Sequence, residues 1–469
     1  MKHMRKLIKL LLAVGLIVQL SAVAIGQTHE VKLTAPGSFN AAGFGAAVAI
    51  DGETLVVGAI NLPDVGFPPV GDVFVYRYDG TSWNFVQALA PPGGDNAGFG
   101  SAVAISGDTI AVGAYGAGLF GGEAHVFTRN GSTWDHTAEI VPDDVTNGDN
   151  FGLAVALDGN LLAVGARGTD NTGAVYVYAR SGASWTLDEK LTANDSQPTD
   201  KLGITVSIDG TTVAAGEAER GAAYVFERDG DGVWSQEKLT DNPPEGSVVA
   251  ISGERVLVGR ASGGLSVAVY ENTSGWAATA ALTVDGVDVA DHFGAAVALN
   301  GRHALIGSPG EGTGTAALFQ PALSQANSWG LLAQFTPGDG TAGDYFGAAV
   351  ALSADWVLIG APGHNGGAGA AYLYTVPTIT LEVVSVHPAT GTLAAPTTDL
   401  TLAFNQAVQA GDGSIRIEQA GQLIEEIIMP SPRVIIDGST VTIDPATLLA
   451  YGRTYTVTVD ESAFTIQAD

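Results

Sequence analysis

Phe44-Gly45-Ala46-Ala47-Val48-Ala49-Ile50-Asp51-Gly52 returns six times along the chain, beginning at Phe99, Phe151, Leu202, Glu245, Phe293 and Phe346. The steps average about 50 residues, the size of one blade in a radial β-repeat. Seven residues after each start stands a turn pair: Asp51-Gly52, Ser106-Gly107, Asp158-Gly159, Asp209-Gly210, Ser252-Gly253, Asn300-Gly301 and the deviant Ser353-Ala354. Asp-Gly and Asn-Gly tolerate the positive φ angles of a two-residue hairpin, so each pair predicts two antiparallel strands of constant length. A glycine follows fourteen residues after each start, at Gly58, Gly113, Gly165, Gly216, Gly259, Gly307 and Gly360.

Beyond a loop of unequal length, a third strand carries an aromatic at one equivalent position: Tyr76, Phe127, Tyr178, Phe226, Tyr270, Phe319 and Tyr374. A fourth strand opens with Trp83, Trp134, Trp185, Trp234, Trp276 or Trp329. Aromatics that recur in nearly every unit are expected to pack between blades rather than to stack on a ligand. The seventh unit ends at Tyr374 without a tryptophan strand, while Val31-Lys32-Leu33-Thr34-Ala35 matches Glu189-Lys190-Leu191-Thr192-Ala193. That N-terminal copy is predicted to supply the missing outer strand of blade seven and so to protect its open edge. The expected fold is all-β: a seven-bladed β-propeller over residues 29–376, followed by a small Ig-like β-sandwich over residues 380–469.

Lys2, Arg5, Lys6 and Lys9 precede an uncharged stretch from Leu10 to Gly26 rich in Leu, Val, Ile and Ala. This pattern is that of a secretory signal peptide over residues 1–26, with small residues Ala22, Ala24 and Gly26 for cleavage. An apolar run short of the ~20 residues that span a bilayer argues against a retained anchor, so no membrane insertion is expected after cleavage. The chain contains no cysteine, so its stability is expected to come from core burial. Its formal charge is −29, and loss of the four leader cations takes the mature chain to −33. Nucleic acid and anionic membrane surfaces are excluded as partners on that charge. Its sixty-three glycines follow no three-residue period and so signal tight turns rather than a collagen helix.

The Phe-Gly starts and the later Gly307-Ser308-Pro309 and Gly360-Ala361-Pro362 resemble the FG-GAP repeats of integrin α-subunit propellers, and most of all their bacterial subgroup. The resemblance covers about residues 29–376, with Leu202 and Glu245 marking blades four and five as the divergent ones. In integrin-type repeats the loop between the first two strands is an Asp-rich calcium loop. Here it has shrunk to two residues, too few for the six to eight oxygens calcium prefers, so those calcium sites do not carry over. After Val376-Pro377 the period stops. Ser385-Val386-His387-Pro388-Ala389-Thr390-Gly391 and the tyrosine-corner spacing of Leu449-Ala450-Tyr451-Gly452-Arg453-Thr454-Tyr455 resemble bacterial Ig-like domains of the SbsA type, found in surface-layer and secreted proteins. In that family more sequence usually follows the position of Ala463-Phe464. The module is therefore expected to lack its last strand, or the chain to be a fragment.

Asp149, Asp200, Asp291 and Asp344 each stand two residues before the Phe-Gly position, in loops that also hold Asp143, Asp144, Asp195, Asp285, Asp288 and Asp339. Their plainest role is to cap the turn entering the first strand by accepting backbone N–H bonds; weak cation or ligand binding is the alternative. His364, in Pro362-Gly363-His364-Asn365, is the one singular polar loop residue. Asp149, Asp200, Asp291, Asp344 and His364 are the candidate binding residues. The histidines show no metal-ligand spacing, catalytic cysteine is impossible, and no nucleophile elbow, phosphate loop or dinucleotide fingerprint occurs before a helix. No catalytic residue, metal or cofactor is expected.

The resemblances imply an extracytoplasmic bacterial protein, secreted or at the cell surface, that serves in binding, adhesion or surface structure; the long, unequal loops of one propeller face, including Asn61 to Gly71, Tyr115 to Gly121, Asp143 to Asn150, Asp285 to Asp291 and Gly363 to Gly367, are expected to take an extracellular protein or glycan, and the chain is expected to be a monomer. The competing class is an extracellular propeller enzyme acting on polysaccharide, or a quinone-dependent dehydrogenase. An acidic cluster with His and Arg in the central funnel would favour the enzyme; a broad loop face without such a cluster favours binding.

Overall fold

The computed structural model describes residues 10–11, 30–37, 42–61, 70–94, 97–240, 247–260, 264–310, 312–321, 329–377, 383–387, 399–404, 408–411, 413–419, 422–446, 455–459 and 463–466. The chain divides into two compact units, residues 28–321 with 329–377, and residues 378–469 with 1–27 and 322–328.

The first unit contains seven four-stranded antiparallel sheets, six of which pair their strands in chain order from the inside out. Blade one runs Phe44–Asp51, Thr54–Asn61, Val70–Tyr78 and Trp83–Leu89, and the next five repeat that plan. Blade seven has Ala349–Leu352, Trp356–Ala361 and Ala370–Thr375, and its outer strand is Val31–Leu33, paired Val31 to Leu373, Lys32 to Tyr372 and Leu33 to Ala371. Leu33, Leu358 and Leu373 of this blade share one buried cluster with Phe44, Leu55, Phe74 and Trp83 of blade one. The ring is thus closed by strand pairing within blade seven and by apolar packing across the junction with blade one.

Two glycines per repeat set how near neighbouring blades come. In the Phe-Gly start the phenylalanine is buried, as at Phe44, Phe99, Phe151, Phe293 and Phe346, a burial that contributes about 2–3 kcal/mol apiece. The following glycine has φ between +85° and +94° at Gly45, Gly100, Gly152, Gly203, Gly294 and Gly347. At several of these starts, such as Phe44 to Ala47 and Phe151 to Ala154, the strand register shifts, as in a β-bulge. This second residue also faces the glycine fourteen residues after the start of the preceding blade. A methyl on Gly58, Gly113, Gly165, Gly307 or Gly360 would stand 1.9–2.1 Å from the carbonyl oxygen of Gly100, Gly152, Gly203, Gly347 or Gly45, respectively. The spacing between the two glycines is therefore an inter-blade contact.

The hairpin turns add a second series of contacts between blades. The first residue of each turn pair reaches the next blade's turn: Gly107 N–H donates to Asp51 Oδ2 at 2.6 Å, Gly159 to Ser106 Oγ at 3.0 Å, Gly210 to Asp158 Oδ2 at 2.7 Å, Gly253 to Asp209 Oδ2 at 2.6 Å and Gly301 to Ser252 Oγ at 2.9 Å. At the deviant turn the polarity reverses, and Asn300 Nδ2 donates to the Ser353 carbonyl at 2.7 Å.

The tryptophans sit at the junctions between adjacent blades. Gln87 of blade one exchanges two hydrogen bonds with the Trp134 backbone. Trp234 Nε1 donates to Asp188 at 3.1 Å, and Trp276 Nε1 to Glu227 at 2.9 Å. Trp83 lies 5.4 Å from Trp356 across the blade seven to blade one junction.

In the second unit, Gln422–Ile428, Ser414–Gln419 and Tyr455–Val459 form one sheet. Val434–Asp437, Thr440–Ile443, Leu400–Phe404 and Val383–His387 form another, and Val408–Ala410 pairs with Phe464–Ile466. Leu402, Phe404, Ile415, Ile417, Val441, Ile443 and Phe464 make its core. In the intact chain Leu10–Leu11, part of the predicted leader, pairs with Thr456 and Val457 at the edge of the first sheet. The rest of the leader and Leu449 to Thr454 of the predicted tyrosine corner lie outside the described residues.

Candidate functional site: the long-loop face of the propeller

Second-to-third loops and blade-to-blade linkers share one face and are joined there by main-chain hydrogen bonds. Phe151 N–H donates to Gly121 O at 2.8 Å, Gly168 to Asp149 O at 2.9 Å, Gly310 to Asp291 O at 3.0 Å and Gly363 to Asp344 O at 3.0 Å. The loops include short helical turns at Ala117–Phe120, Thr169–Asn171 and His364–Gly367, and the linkers one at Val289–Asp291. The opposite face carries the two-residue hairpins, hydrogen-bonded in series from blade one to blade seven, and the third-to-fourth turns. Of the long loops read from the sequence, residues 62–69 lie outside the described residues.

The four aspartates before the Phe-Gly positions are turn caps. Thr146 N–H donates to Asp149 Oδ2 at 2.7 Å, Asp288 N–H to Asp291 Oδ2 at 2.8 Å, Thr341 N–H to Asp344 Oδ2 at 2.8 Å, and Gln197 N–H to Asp200 Oδ2. Asp149, Asp200 and Asp344 are buried, and besides capping their own turns Asp200 and Asp344 meet Arg220 and His364 of the neighbouring loops.

The sequence reading missed what the preceding aspartates do. Asp144 accepts from Tyr176 Oη at 3.0 Å and Lys190 Nζ at 2.6 Å; Asp195 accepts from Tyr224 Oη at 2.8 Å and Lys238 Nζ at 2.5 Å; Asp339 accepts from Tyr372 Oη at 2.8 Å and Lys32 Nζ at 2.6 Å. Tyrosine and lysine are cross-strand partners in each case. The linker entering blades three, four and seven is thus clasped by that blade's third and outer strands. The lysine contacts hold Asp195 and Asp339 below the usual carboxylate range. Asp144 is also lowered: burial pushes it up, but the Lys190 and Tyr176 hydrogen bonds outweigh that. The signal was available in the sequence, since Tyr176, Tyr224 and Tyr372 stand two residues before the repeating aromatic.

In blade two the tyrosine position is His125, buried, with its Nδ1 3.2 Å from His136 Nε2. In blade seven His364 joins the clasp. Its Nδ1 is 2.8 Å from Asp344 Oδ2 and its Nε2 2.7 Å from Lys32 Nζ, so the imidazole lies between the N-terminal strand and the loop. His364 is therefore buried and fixed, rather than a loose loop residue. Among the described residues no group of three or more His, Asp or Glu is gathered as metal ligands.

Blade four breaks the repeat at one buried position. The residue after its fourteenth-position glycine is Glu217, where blades one, two, three and seven have Ala59, Ala114, Ala166 and Ala361. Glu217 is 0% exposed. Its Oε1 accepts from Arg220 Nε at 3.0 Å and its Oε2 lies 3.2 Å from Tyr224 Oη. Arg220 also donates to Asp200 Oδ2 at 2.7 Å. Burial raises the Glu217 pKa to about 7; the Arg220 hydrogen bond pulls it down and Asp200 pushes it up. The unfolded chain releases this proton near 4.5, so the folded state binds it more tightly. The stabilisation is fully present below pH 4.5 and is lost as pH rises through 7, a loss of roughly 3 kcal/mol at most. Denaturant titrations at pH 5 and pH 8 should show this fall in the wild type and not in Glu217→Gln; equal falls in both would contradict the assignment.

A closed ring of Phe-Gly blades with long loops on one face, followed by a separate β-sandwich, defines a repeat propeller carrying an appended Ig-like module. The FG-GAP repeat family matches residues 28–76, 83–127, 134–178, 185–226 and 329–374, and the bacterial Ig-like domain family matches residues 377–467. The chain is an FG-GAP repeat propeller protein with a C-terminal bacterial Ig-like domain. The unit starting at Leu202 is among those matched, whereas that starting at Phe293 is not, although it keeps its Phe-Gly; divergence from the family falls on blades five and six rather than four and five. No curated protein matches the chain. Among solved structures, the crystal structure of a protein from Lactobacillus plantarum is similar over 63% of this chain and 86% of its own, at 16% identity and a TM-score of 0.44. No helix among the described residues is long and apolar enough to cross a membrane.

Proposed function

We propose that this chain is an exported bacterial binding protein whose long-loop face engages an extracellular protein or glycan. The asymmetry of the two propeller faces carries the reading. One face carries the near-identical first-to-second hairpins, hydrogen-bonded from blade to blade, together with the third-to-fourth turns of the outer strands. The other presents loops of unequal length and sequence, braced by main-chain bonds and by the Asp-Tyr-Lys clasps. Unequal loops on a rigid scaffold are where recognition concentrates. The leader pattern, the acidic mature charge and the Ig-like module support work outside the cytoplasm. The test is saturable binding of the purified mature chain on a combined array of bacterial and host glycans and matrix proteins. Selective binding to one glycan or protein class is the expected result; turnover of an arrayed polysaccharide, or uniform weak binding that vanishes with salt, would overturn the reading.

A further inference from the structure

The blade-four loop face contains a fully buried carboxyl group, Glu217, that shares one arginine with a second buried carboxyl group, Asp200. Tyr224 has a single hydroxyl proton, and the shorter of its two contacts is the 2.8 Å bond to Asp195 Oδ1. Asp195 also takes the Lys238 ammonium, so it is the carboxylate of that pair. What faces Glu217 Oε2 at 3.2 Å is then the lone pair of the phenol oxygen. On its other side Arg220 bridges it to Asp200, itself buried. A carboxylate at Glu217 would face the phenol lone pair and share the single Arg220 cation with the Asp200 carboxylate. A carboxylic acid there satisfies the whole arrangement.

These contacts tie two loops together. Ala218 N–H and Glu219 N–H donate to the Asp200 carbonyl at 3.0 and 3.3 Å, and Glu217 N–H closes the loop on Ala222 O at 2.9 Å. The remaining charged groups on the packing elements are Lys201, which pairs with Glu219 at the exposed rim, and the Lys238–Asp195 pair on the outer strand and linker.

We propose that Glu217 is the proton-bearing element of a latch: with its proton it holds the loop from Ala218 to Ala222 on the Asp200 linker, and on losing it releases that loop. Loss of the proton places a second negative charge near Asp200 on a side chain that is itself buried from water, and that repulsion is relieved by lifting the loop. A protein working outside the cytoplasm meets such pH changes directly, and the latch lies on the face assigned to binding. It is nevertheless independent of which ligand that face takes.

Amide hydrogen exchange of Ala218 and Glu219 in the full mature chain, corrected for intrinsic exchange, reads the latch. Protection of both amides should fall by about tenfold or more between pH 6 and pH 8, the span over which one such group changes its proton occupancy. Glu217→Gln keeps a donor toward Tyr224 and an acceptor toward Arg220, and should stay protected at both pH values. Glu217→Ala, which restores the residue of four other blades, should show protection that does not vary with pH, and makes the same test if the Gln variant does not fold. Constant protection in the wild type, or an unchanged pH response in the variants, would overturn the proposal.

Discussion

Gly165→Ala is expected to destabilise the propeller by more than about 3 kcal/mol, the upper range for forced overpacking. The added methyl would lie 2.0 Å from Gly203 O and 3.0 Å from its carbonyl carbon. Both are backbone atoms of the next blade, so no side chain can turn away. Relief requires blades three and four to separate, which would also disturb the buried cluster that Ala163, Val175 and Val177 share with Leu202, Ala215 and Tyr224. Gly159→Ala is the control. That turn glycine has φ of +54° with nothing within 4 Å of the added methyl, so the cost is that of the backbone conformation, about 1 kcal/mol. Denaturant midpoints of the two variants at equal m-value measure the contrast. Equal small losses would mean that the blades are not held at glycine-limited distance.

Deleting Glu30 to Ala35 should have the second large effect. The deletion removes the outer strand of blade seven and exposes the edge of Ala370–Thr375. It also removes Leu33 from the cluster shared with blade one and leaves Tyr374 and Tyr76 without their hydrogen bonds to Glu30 Oε2 at 2.9 Å and Thr34 O at 2.8 Å. Lys32, with its contacts to Asp339 and His364, goes as well. Burial of one leucine contributes about 2 kcal/mol and each lost hydrogen bond about 1, so a loss of at least ~4 kcal/mol is expected, with association through the open edge. Thermal unfolding and light scattering of the deletion variant test this. An unchanged midpoint and a monodisperse sample would contradict closure by the N-terminal strand.

Blade number, hairpin positions and the displaced outer strand were legible because each rests on a local rule repeated seven times. Asp-Gly and Asn-Gly mark a turn wherever they stand, and Lys32-Leu33-Thr34 stands out beside Lys190-Leu191-Thr192 and Lys238-Leu239-Thr240. The turn-capping role of Asp149, Asp200, Asp291 and Asp344 was legible for the same reason, since an aspartate accepting from the residue three before it is a short-range event. Contacts between repeats were not. That Gly58 limits the approach of Gly100, or that Asp51 serves the Gly107 amide, depends on how one blade lies on the next, which spacing within a blade does not specify. Glu217 escaped for a different reason: the alignment was followed through its shared positions, while the informative residue was the one that broke it.

The central claim is that recognition belongs to the long-loop face. Two sets of variants of the mature chain, measured against whichever array ligand binds, test it most directly. One set shortens the Asp285 to Asp291 linker or the segment from Asn61 to Gly71; the other replaces Asp158 and Asp209 on the hairpin face by Asn, retaining an acceptor for Gly210 and Gly253. The account predicts that at least one loop variant weakens binding about tenfold or more, roughly 1.4 kcal/mol, with its melting temperature kept, while the hairpin-face variants bind as the wild type does. Binding lost only in the hairpin-face variants, or retained in full by the isolated Ig-like module, would contradict it.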